Sequence, residues 1–396
     1  MKRYYLLTIL TAIAVLLVFS MVYSFWDQAP SRDTLTVGFL YKDDESVPDT
    51  YNFAQAQYAL EQQYKGQVRV YSKSNVLGSE IITPIQELVR KGCELIFTNS
   101  DSEQVIEMAR QYPGVQFCQT TYAGAETQNR PANYHTFYAK IHQARYVSGI
   151  AAGLKLRQMI DNGELKPEQA LVGFVGDYPT ADAVSSYTAF LLGIRSVAPE
   201  ATMKVRYTRK WSNYNLEKSC AMDLINEGCV VISQHTHTTG PAVACEEAGA
   251  DKKVVQVGYH RSMLDVAPTT SLVSIRINWA PYVTQAVEAV LKNKPIETIV
   301  EGNNYGNNDI SAGFDMNWVQ ILELNQRLAA EGTQARMDKA IESLKKGKLE
   351  VFRGNYLGVN PNDSTDVYDL NKGYQENQYS SWPTFHYVLK DVIQVE

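Results

Sequence analysis

A single local pattern recurs along the chain: a short apolar run, then an abrupt polar turn, then a helical pattern. The stretch from Gly228 to Pro241 shows it most clearly, and residues 92–101 repeat it with the same Gly-Cys start. Upstream, residues 36–41 match residues 171–176, each a strand followed by a polar loop. Short β-branched runs are typical of buried parallel strands, and their alternation with helices predicts a doubly wound sheet. Because the order occurs twice, the sequence predicts an α/β protein of two doubly wound parallel-sheet lobes with a hinge and an inter-lobe cleft.

The chain of 396 residues is long enough for two such lobes and additional segments. The strand predicted at 272–277 is expected to cross back to the first lobe, and 316–347 to form a charged helix or helix pair. The expected order is a first lobe at 34–140, completed by about 275–305, a second lobe at 141–270, completed by about 310–350, and an extended C-terminal tail at 351–396.

The N-terminus carries the pattern of a targeting segment. Lys2 and Arg3 precede an apolar run from Tyr4 to Trp26. As a helix this run would be about 34 Å long, which is enough to cross a bilayer. Residues 1–33 are therefore predicted to be an uncleaved membrane anchor with a short tether, and a cleaved signal peptide is the alternative. Either way, the folded part is expected to be extracytoplasmic.

Charge and cysteine content exclude several classes of protein. The net charge of −6, with no cluster of Lys and Arg in the body of the chain, argues against a nucleic-acid partner. The five cysteines are too sparse for a disulfide scaffold, and buried free thiols are expected. One bridge between two of Cys220, Cys229 and Cys245 remains an alternative. No familiar catalytic motif is present, so we expect neither an enzyme nor a bound cofactor or metal.

Aromatic and small polar residues gather where strands end and helices begin. In open α/β sheets, ligands bind beyond the carboxyl ends of the strands. Rings that stack and amides or hydroxyls that read edges suit a flat, hydrogen-bonding ligand such as a base. Each aromatic residue has core packing as an alternative role, and Asp177 could instead cap helix 181–197. The predicted ligand-binding residues are Tyr51, Asn52, Phe53, Asn99, Ser100, Asp177, Tyr178, Trp211, His235, Thr236, His237, Tyr259 and Trp279.

Three histidines give the chain one enzyme-like feature. His235 and His237 are separated by one residue, and His260 follows a neighbouring predicted strand. Three imidazoles can hold zinc, which would suit a metal-dependent hydrolase. The alternative is that they bind a ligand or the backbone by hydrogen bonds. The spacing alone is a weak signal, so the hydrolase is the least favoured of our hypotheses.

Several motifs resemble the basic membrane protein family of type 1 periplasmic-binding-protein folds, across roughly residues 34–315. They are Thr50-Tyr51, Phe97-Thr98-Asn99-Ser100, the helix from Arg145 to Gly153, Gln234-His235-Thr236 and Asn278-Trp279-Ala280-Pro281-Tyr282. The resemblance implies a solute-binding protein that delivers a purine nucleobase or nucleoside to an ABC permease. A monomer is expected. A sensor that binds a similar ligand for a signalling partner is the alternative.

The chain departs from the family pattern at the predicted site. The family usually has Asp where His237 stands, and often Asp-Ser-Asp where this chain has His260-Arg261-Ser262. The resemblance therefore implies either a ligand that is more anionic or richer in hydrogen-bond acceptors, or a lower affinity for the ligand. A lipid-attachment cysteine near the N-terminus is also absent, because the first cysteine is Cys93. Within this site, Trp211 and Tyr178 are expected to stack on the base.

Overall fold

Two seven-stranded sheets organise the protein in a computed structural model that describes residues 33–120, 129–249 and 253–396. The predicted anchor or signal peptide lies outside the described residues, apart from Asp33. Within the described part of the chain, no helix is long and apolar enough to cross a membrane.

The helices and strands alternate as the sequence predicts. In chain order they are β1 Leu35–Leu40, α1 Pro48–Gln63, β2 Val68–Lys73, α2 Ile82–Arg90, β3 Leu95–Thr98, α3 Gln104–Gln111, β4 Gln116–Gln119, β5 Tyr134–Ala139, α4 Ile141–Asp161, β6 Leu171–Gly176, α5 Ala181–Arg195, β7 Thr202–Tyr207, α6 Tyr214–Asn226, β8 Val231–Gln234, α7 Gly240–Ala248, β9 Val255–Tyr259, β10 Ser271–Ile277, α8 Ala280–Leu291, β11 Asn303–Asn304, β12 Asp309–Ala312, β13 Val319–Ile321, α9 Thr333–Lys345, β14 Leu357–Asn360, β15 Asp363–Asp369, β16 Val388–Leu389 and β17 Ile393–Val395.

The two large sheets share one strand order. The first is β11-β12-β5-β4-β3-β1-β2, and the second is β13-β10-β9-β8-β6-β7-β17. Both contain the doubly wound order 2-1-3-4-5, in which the direction of winding reverses between the first and third strands. Those strands are β1 and β3 in the first lobe, and β6 and β8 in the second. Each pair is parallel, so the fold places both carboxyl ends at one edge. The predicted fold class is confirmed.

Two predictions for residues 271–347 are wrong. The strand at 271–277 does not cross to the first lobe, because β10 pairs with β9 in parallel and with β13 in the second sheet. The crossing follows it, since α8 packs on α1, β1 and β3. Residues 316–347 are not helical throughout: they contain β13, and their α-helix, α9, begins only at Thr333. A three-residue strand is too short for its periodicity to show in sequence.

The C-terminal tail is folded into the protein and does not run extended over the surface as predicted. Strands β14, β15 and β16 form a separate antiparallel sheet, and β17 joins the second sheet beside β7. Phe385 and Leu389 are fully buried in the main hydrophobic core. The five cysteines are free, and all except the partly exposed Cys220 are buried.

Candidate ligand-binding site

The site lies where the carboxyl ends of the two sheets face each other. Lys42 follows β1 and Asn99 follows β3, so both stand at the winding reversal of the first lobe. Asp177 follows β6 and His237 follows β8 at the equivalent place in the second lobe. The same topology, used twice, therefore directs two polar loops toward a common cleft.

Contacts within the first lobe fix Lys42, Asp49 and Asn99 relative to one another. The backbone N–H of Lys42 donates to Oδ1 of Asn99 over 3.0 Å. Its ammonium group lies 2.7 Å from Oδ2 of Asp49, in the first turn of α1. Burial raises the pKa of the Asp49 carboxyl, but the neighbouring Lys42 ammonium outweighs this and holds the pKa well below its usual range. The two side chains form a charge-neutral pair.

Histidines of the second lobe continue this polar cluster across the cleft. His260 Nδ1 lies 3.6 Å from Oδ1 of Asp49, which belongs to the first lobe. The rings of His260 and His237 are 5.2 Å apart between centroids. His237 Nε2 in turn lies 3.9 Å from Oδ2 of Asp177. A continuous row of polar side chains thus connects the two lobes, and we call it the cleft row: Asn99, Lys42, Asp49, His260, His237 and Asp177.

Burial sets the charges of the second-lobe members of the cleft row. Desolvation lowers the pKa of His260 to about 3 and that of His237 well below its ordinary value, so both imidazoles are neutral at pH 7. Desolvation also raises the pKa of Asp177 to about 6, leaving this group mostly ionised at pH 7. Its Oδ1 accepts a hydrogen bond from the backbone N–H of Tyr178.

A second network of buried polar side chains lies beside the cleft row. Arg145 of α4 is fully buried, with its guanidinium 4.1 Å from the ring centroid of Tyr259. It donates to Nδ1 of His235 over 3.3 Å, which leaves the imidazole proton on Nε2, 3.2 Å from Oδ2 of Asp182. Tyr138 of the first lobe donates to the same carboxylate over 2.7 Å. These contacts hold Asp182 ionised: burial raises its pKa, but His235 and Tyr138 bring it below the ordinary value.

Aromatic side chains stand at the solvent side of the cleft row. Tyr178 and Trp211 pack against each other with centroids 4.6 Å apart, and Trp211 is 53% exposed. The Trp211 ring lies 6.5 Å from that of His237. Two stacking contacts need about 7 Å between rings, so a flat ligand does not fit between Tyr178 and Trp211 as they stand. One face of Trp211 can still cover a ligand that lies on the cleft row.

Some other predicted residues also lie near this cluster. The ring of Tyr51 lies 5.4 Å from the guanidinium of Arg261, which connects the lobes again. Asn52 is buried one turn after Asp49 in α1, and its Nδ2 has no hydrogen-bond partner within the described residues. Tyr259 stacks on His260 at 3.7 Å between centroids.

The remaining predicted residues have structural contacts. Ser100 donates its hydroxyl proton to the carbonyl of Val76 over 2.8 Å, and the carbonyl of Thr236 accepts from Gln234 Nε2 over 3.0 Å. Phe53 and Trp279 are core residues, with centroids 5.7 Å apart. The structure does not bring these two rings into the cleft row. Asp177 does not cap α5 either, since the N-cap is Thr180.

The histidines do not form a metal centre in the part of the chain that the structure describes. No group of three or more His, Cys, Asp and Glu side chains is arranged there to hold a metal ion. His235 is engaged by Arg145 and Asp182. His237 faces Asp177, and His260 faces Asp49. The arrangement fits hydrogen bonding by neutral imidazoles.

Sequence reasoning missed several members of these networks. The sequence places Lys42 in the polar loop after residues 36–41 and Asp182 at the start of helix 181–197, and it predicts no ligand-binding role for either. Asp49 is also absent from the predicted site. The available signal was position: Lys42 directly follows the strand that winds first in its lobe, and such residues face the ligand crevice. Arg145 begins one of the motifs shared with the family. The sequence does not show that its side chain is buried, because a charged residue is normally expected at the surface.

The histidines give the protein a specific pH dependence. Between the unfolded pKa of about 6.5 and the folded pKa of about 3, the unfolded chain binds more protons at His260. Stability is therefore expected to fall as pH drops from 6.5 toward 4, by up to about 1.4 kcal/mol per pH unit for each such histidine. The raised pKa of Asp177 opposes this trend between about pH 4 and 6.

Urea denaturation at a series of pH values measures this effect in the wild type and in His260→Asn. The variant is expected to show a shallower dependence on pH. His386→Asn is the matched control, because His386 is a partly exposed histidine of the tail. Equal slopes in His260→Asn and the wild type would show that His260 is not held neutral by burial.

Two doubly wound lobes with a shared polar cleft give the chain the architecture of two-lobed solute-binding proteins. Solved structures of this class agree in fold: an ABC transporter solute-binding protein from Aeropyrum pernix K1 has a TM-score of 0.62 at 14% identity, covering 84% of this chain and 95% of that one. One from Conexibacter woesei has a TM-score of 0.60 at 16% identity, covering 80% and 98%.

Sequence comparison then gives the family. Residues 43–348 match the PnrA-like ABC transporter substrate-binding proteins, and the chain belongs to this family. A purine-binding protein of Brucella abortus is 28% identical over 267 residues, which cover 66% of this chain and 71% of the relative. A Haloferax volcanii protein, provisionally named a glucose-binding protein of an ABC transporter, is 27% identical over 238 residues, covering 60% and 56%.

Family membership establishes the general role. Substrate-binding proteins of this kind work outside the cytoplasm, bind small molecules without chemical conversion and deliver them to a permease in the membrane. The predicted family and class are confirmed.

Proposed function

We propose that this protein captures a purine nucleobase or nucleoside in the cleft and presents it to an ABC permease. The protein acts as a monomer, held outside the membrane by the apolar segment within residues 1–33. Its lobes, 34–140 and 141–270 with the segments that follow, close on the ligand by a hinge motion.

The cleft row carries this proposal. It places hydrogen-bonding groups of both lobes against one another, so a ligand bound there contacts both lobes and stabilises their closure. Lys42 and Asp49 neutralise each other, and the two cleft imidazoles are uncharged. This balance suits a neutral polar ligand more than a phosphorylated one.

Aromatic groups favour a base over a sugar. The exposed face of Trp211, with Tyr178 behind it, offers a flat surface beside polar groups that can read the edge of a ring. The Brucella relative is named a purine-binding protein, which supports a purine as the ligand. The Haloferax relative is named a glucose-binding protein, so glucose is the main competing ligand. Both ligands therefore belong in the binding test of this proposal.

Trp211→Ala is expected to weaken purine binding with little change in stability. Loss of one base–aromatic stack costs about 1–3 kcal/mol, which corresponds to roughly 5–150-fold in Kd. Because Trp211 is 53% exposed, its removal leaves no large cavity. Isothermal titration with inosine, adenosine, hypoxanthine, adenine and glucose measures the effect, and thermal melting checks the fold.

Tyr379→Ala provides the control, since Tyr379 is an aromatic residue of the tail that is 83% exposed. It should bind as the wild type does. Unchanged affinity in Trp211→Ala would remove Trp211 from the site. Binding of glucose with no binding of any purine would replace the proposed ligand.

A further inference from the structure

One side chain of the cleft row has a fixed orientation. Asn99 is 8% exposed, and its Oδ1 accepts the backbone N–H of Lys42 over 3.0 Å. The amide therefore cannot exchange its oxygen and nitrogen without losing this bond. Its Nδ2 is buried and has no hydrogen-bond partner within the described residues. A buried amide donor without a partner has lost its hydration without compensation, and a ligand acceptor can recover that energy.

Asn52 adds a second unused donor on the same side of the cleft. It lies three residues after Asp49 in α1, which places both on one helix face. Asn52 is 2% exposed, and its Nδ2 also has no hydrogen-bond partner in the described parts of the chain. The first lobe thus offers the ligand two amide donors, while its carboxylate, Asp49, is occupied by Lys42.

The second lobe offers the complementary acceptor. Asp177 is buried, its Oδ1 accepts from Tyr178, and its Oδ2 stands 3.9 Å from His237, beyond hydrogen-bond distance. A carboxylate that retains acceptor capacity is suited to an N–H group of a ligand. The ligand that completes both sides carries an acceptor toward the first lobe and a donor toward the second.

Purines differ in whether the group at position 6 accepts or donates a hydrogen bond. Guanine and its relatives present two neighbouring acceptors there, O6 and N7, whereas adenine presents the N6 amino donor beside N7. The 6-oxo form also carries a proton on N1, which can donate to a carboxylate, and adenine does not. If the amino group of adenine lay against Asn99, two hydrogen-bond donors, N6 and Nδ2, would face each other. Neither would then have an acceptor.

We infer that the cleft selects 6-oxopurines over 6-aminopurines, with Asn99 as the specificity-determining residue. This inference rests on the proposed function and adds the class of purine to it. A site built to pair a polar group discriminates strongly against a ligand that lacks it, because its own groups are left buried and unpaired.

Matched ligands test the inference on the full chain. Inosine and adenosine differ only in the group at position 6 and the proton on N1, as do hypoxanthine and adenine. Isothermal titration of each is expected to give at least about tenfold tighter binding of the 6-oxo member. Equal or tighter binding of the 6-amino member in both pairs overturns the inference and leaves the proposed function intact. Absence of binding by all four overturns the proposed function and this inference with it.

Asn99→Asp tests the assigned residue. Aspartate keeps an oxygen for the N–H of Lys42 but replaces the amide donor with an acceptor, so the preference for the 6-oxo member should fall about tenfold or reverse. Asn303→Asp is the matched control, because Asn303 is exposed and its Oδ1 likewise contacts a lysine, Lys140. Circular dichroism confirms folding of each variant. If folded Asn99→Asp keeps the wild-type ratio of affinities for the 6-oxo and 6-amino members, Asn99 does not determine specificity.

Discussion

A chain that ends at Lys348 is expected to lose the cooperative unfolding of its second lobe. The match to the family ends at this residue, so the 48 residues beyond it lie outside the shared family region. The structure nevertheless places them in the core. Phe352, Leu370, Phe385 and Leu389 are each no more than 1% exposed and belong to the main hydrophobic core.

The tail also completes the hydrogen bonds of both lobes. Its last strand, β17, pairs with β7, so that the backbone N–H of Met203 donates to the carbonyl of Val392 over 2.9 Å. The backbone N–H of Ser381 donates to Asp309 of the first sheet over 2.8 Å. Buried Glu376 accepts from Ser185 of α5 and from the N–H groups of Thr384 and Phe385.

The expected loss is large in relation to total stability. Burial of one large apolar side chain stabilises by about 1.5–3 kcal/mol, so four such residues contribute about 6–12 kcal/mol before the cost of ordering the tail. Whole proteins are stable by about 5–15 kcal/mol. We therefore expect the shortened chain to aggregate, or to melt without a sharp transition, when its circular dichroism is followed on heating.

Both chains are to be compared without residues 1–32, so that the apolar N-terminus does not dominate solubility. Val367→Ala in the full-length tail is the control, because Val367 is 50% exposed and its truncation should change little. A shortened chain that melts cooperatively within about 2 °C of the longer one would mean that the tail adds less than about 1 kcal/mol.

The bounds of a strand can be predicted from the sequence more readily than the strand with which it pairs. Strand 171–176 is predicted and observed with the same bounds, because an apolar run between polar turns identifies a buried strand. The strand at 271–277 is also identified, but its lobe is not. Periodicity reports which residues are buried, whereas the neighbouring strand depends on the course of the whole chain.

Position at the end of a parallel strand indicated which residues lie in the cleft, whereas an aromatic residue type did not. Asn99, Asp177 and His237 were predicted from their positions at the ends of parallel strands, and the structure brings all three into the cleft row. Phe53 and Trp279 were chosen for their aromatic rings, and they are core residues. An aromatic ring near a cleft and one in the core give the same sequence signal, because both are apolar and both begin or end an element.

Gly193→Ala is expected to destabilise the second lobe strongly. Alanine normally stabilises a helix relative to glycine, by about 1 kcal/mol. At Gly193 in α5, however, an added Cβ would lie 2.0 Å from the carbonyl oxygen of Tyr146 in α4, and a Cβ at Gly149 would lie 2.2 Å from that of Phe190. These distances involve backbone atoms of two buried helices, which cannot turn aside as a flexible side chain can. The helices must separate, and overpacking of this kind costs about 3 kcal/mol.

Separation of these helices also displaces the support of the ligand site, because Arg145 lies on α4 and Asp182 on α5. Gly193→Ala should therefore lower the melting temperature by about 6–12 °C and weaken purine binding as well. Gly114→Ala is the matched control: no atom lies within 4 Å of its added Cβ, and its backbone is not left-handed. A Gly193→Ala protein as stable as Gly114→Ala would show that the helices move apart freely. In that case Arg145 and Asp182 would hold His235 through side-chain adjustment, and the close approach of the two helices would not set the geometry beneath the cleft.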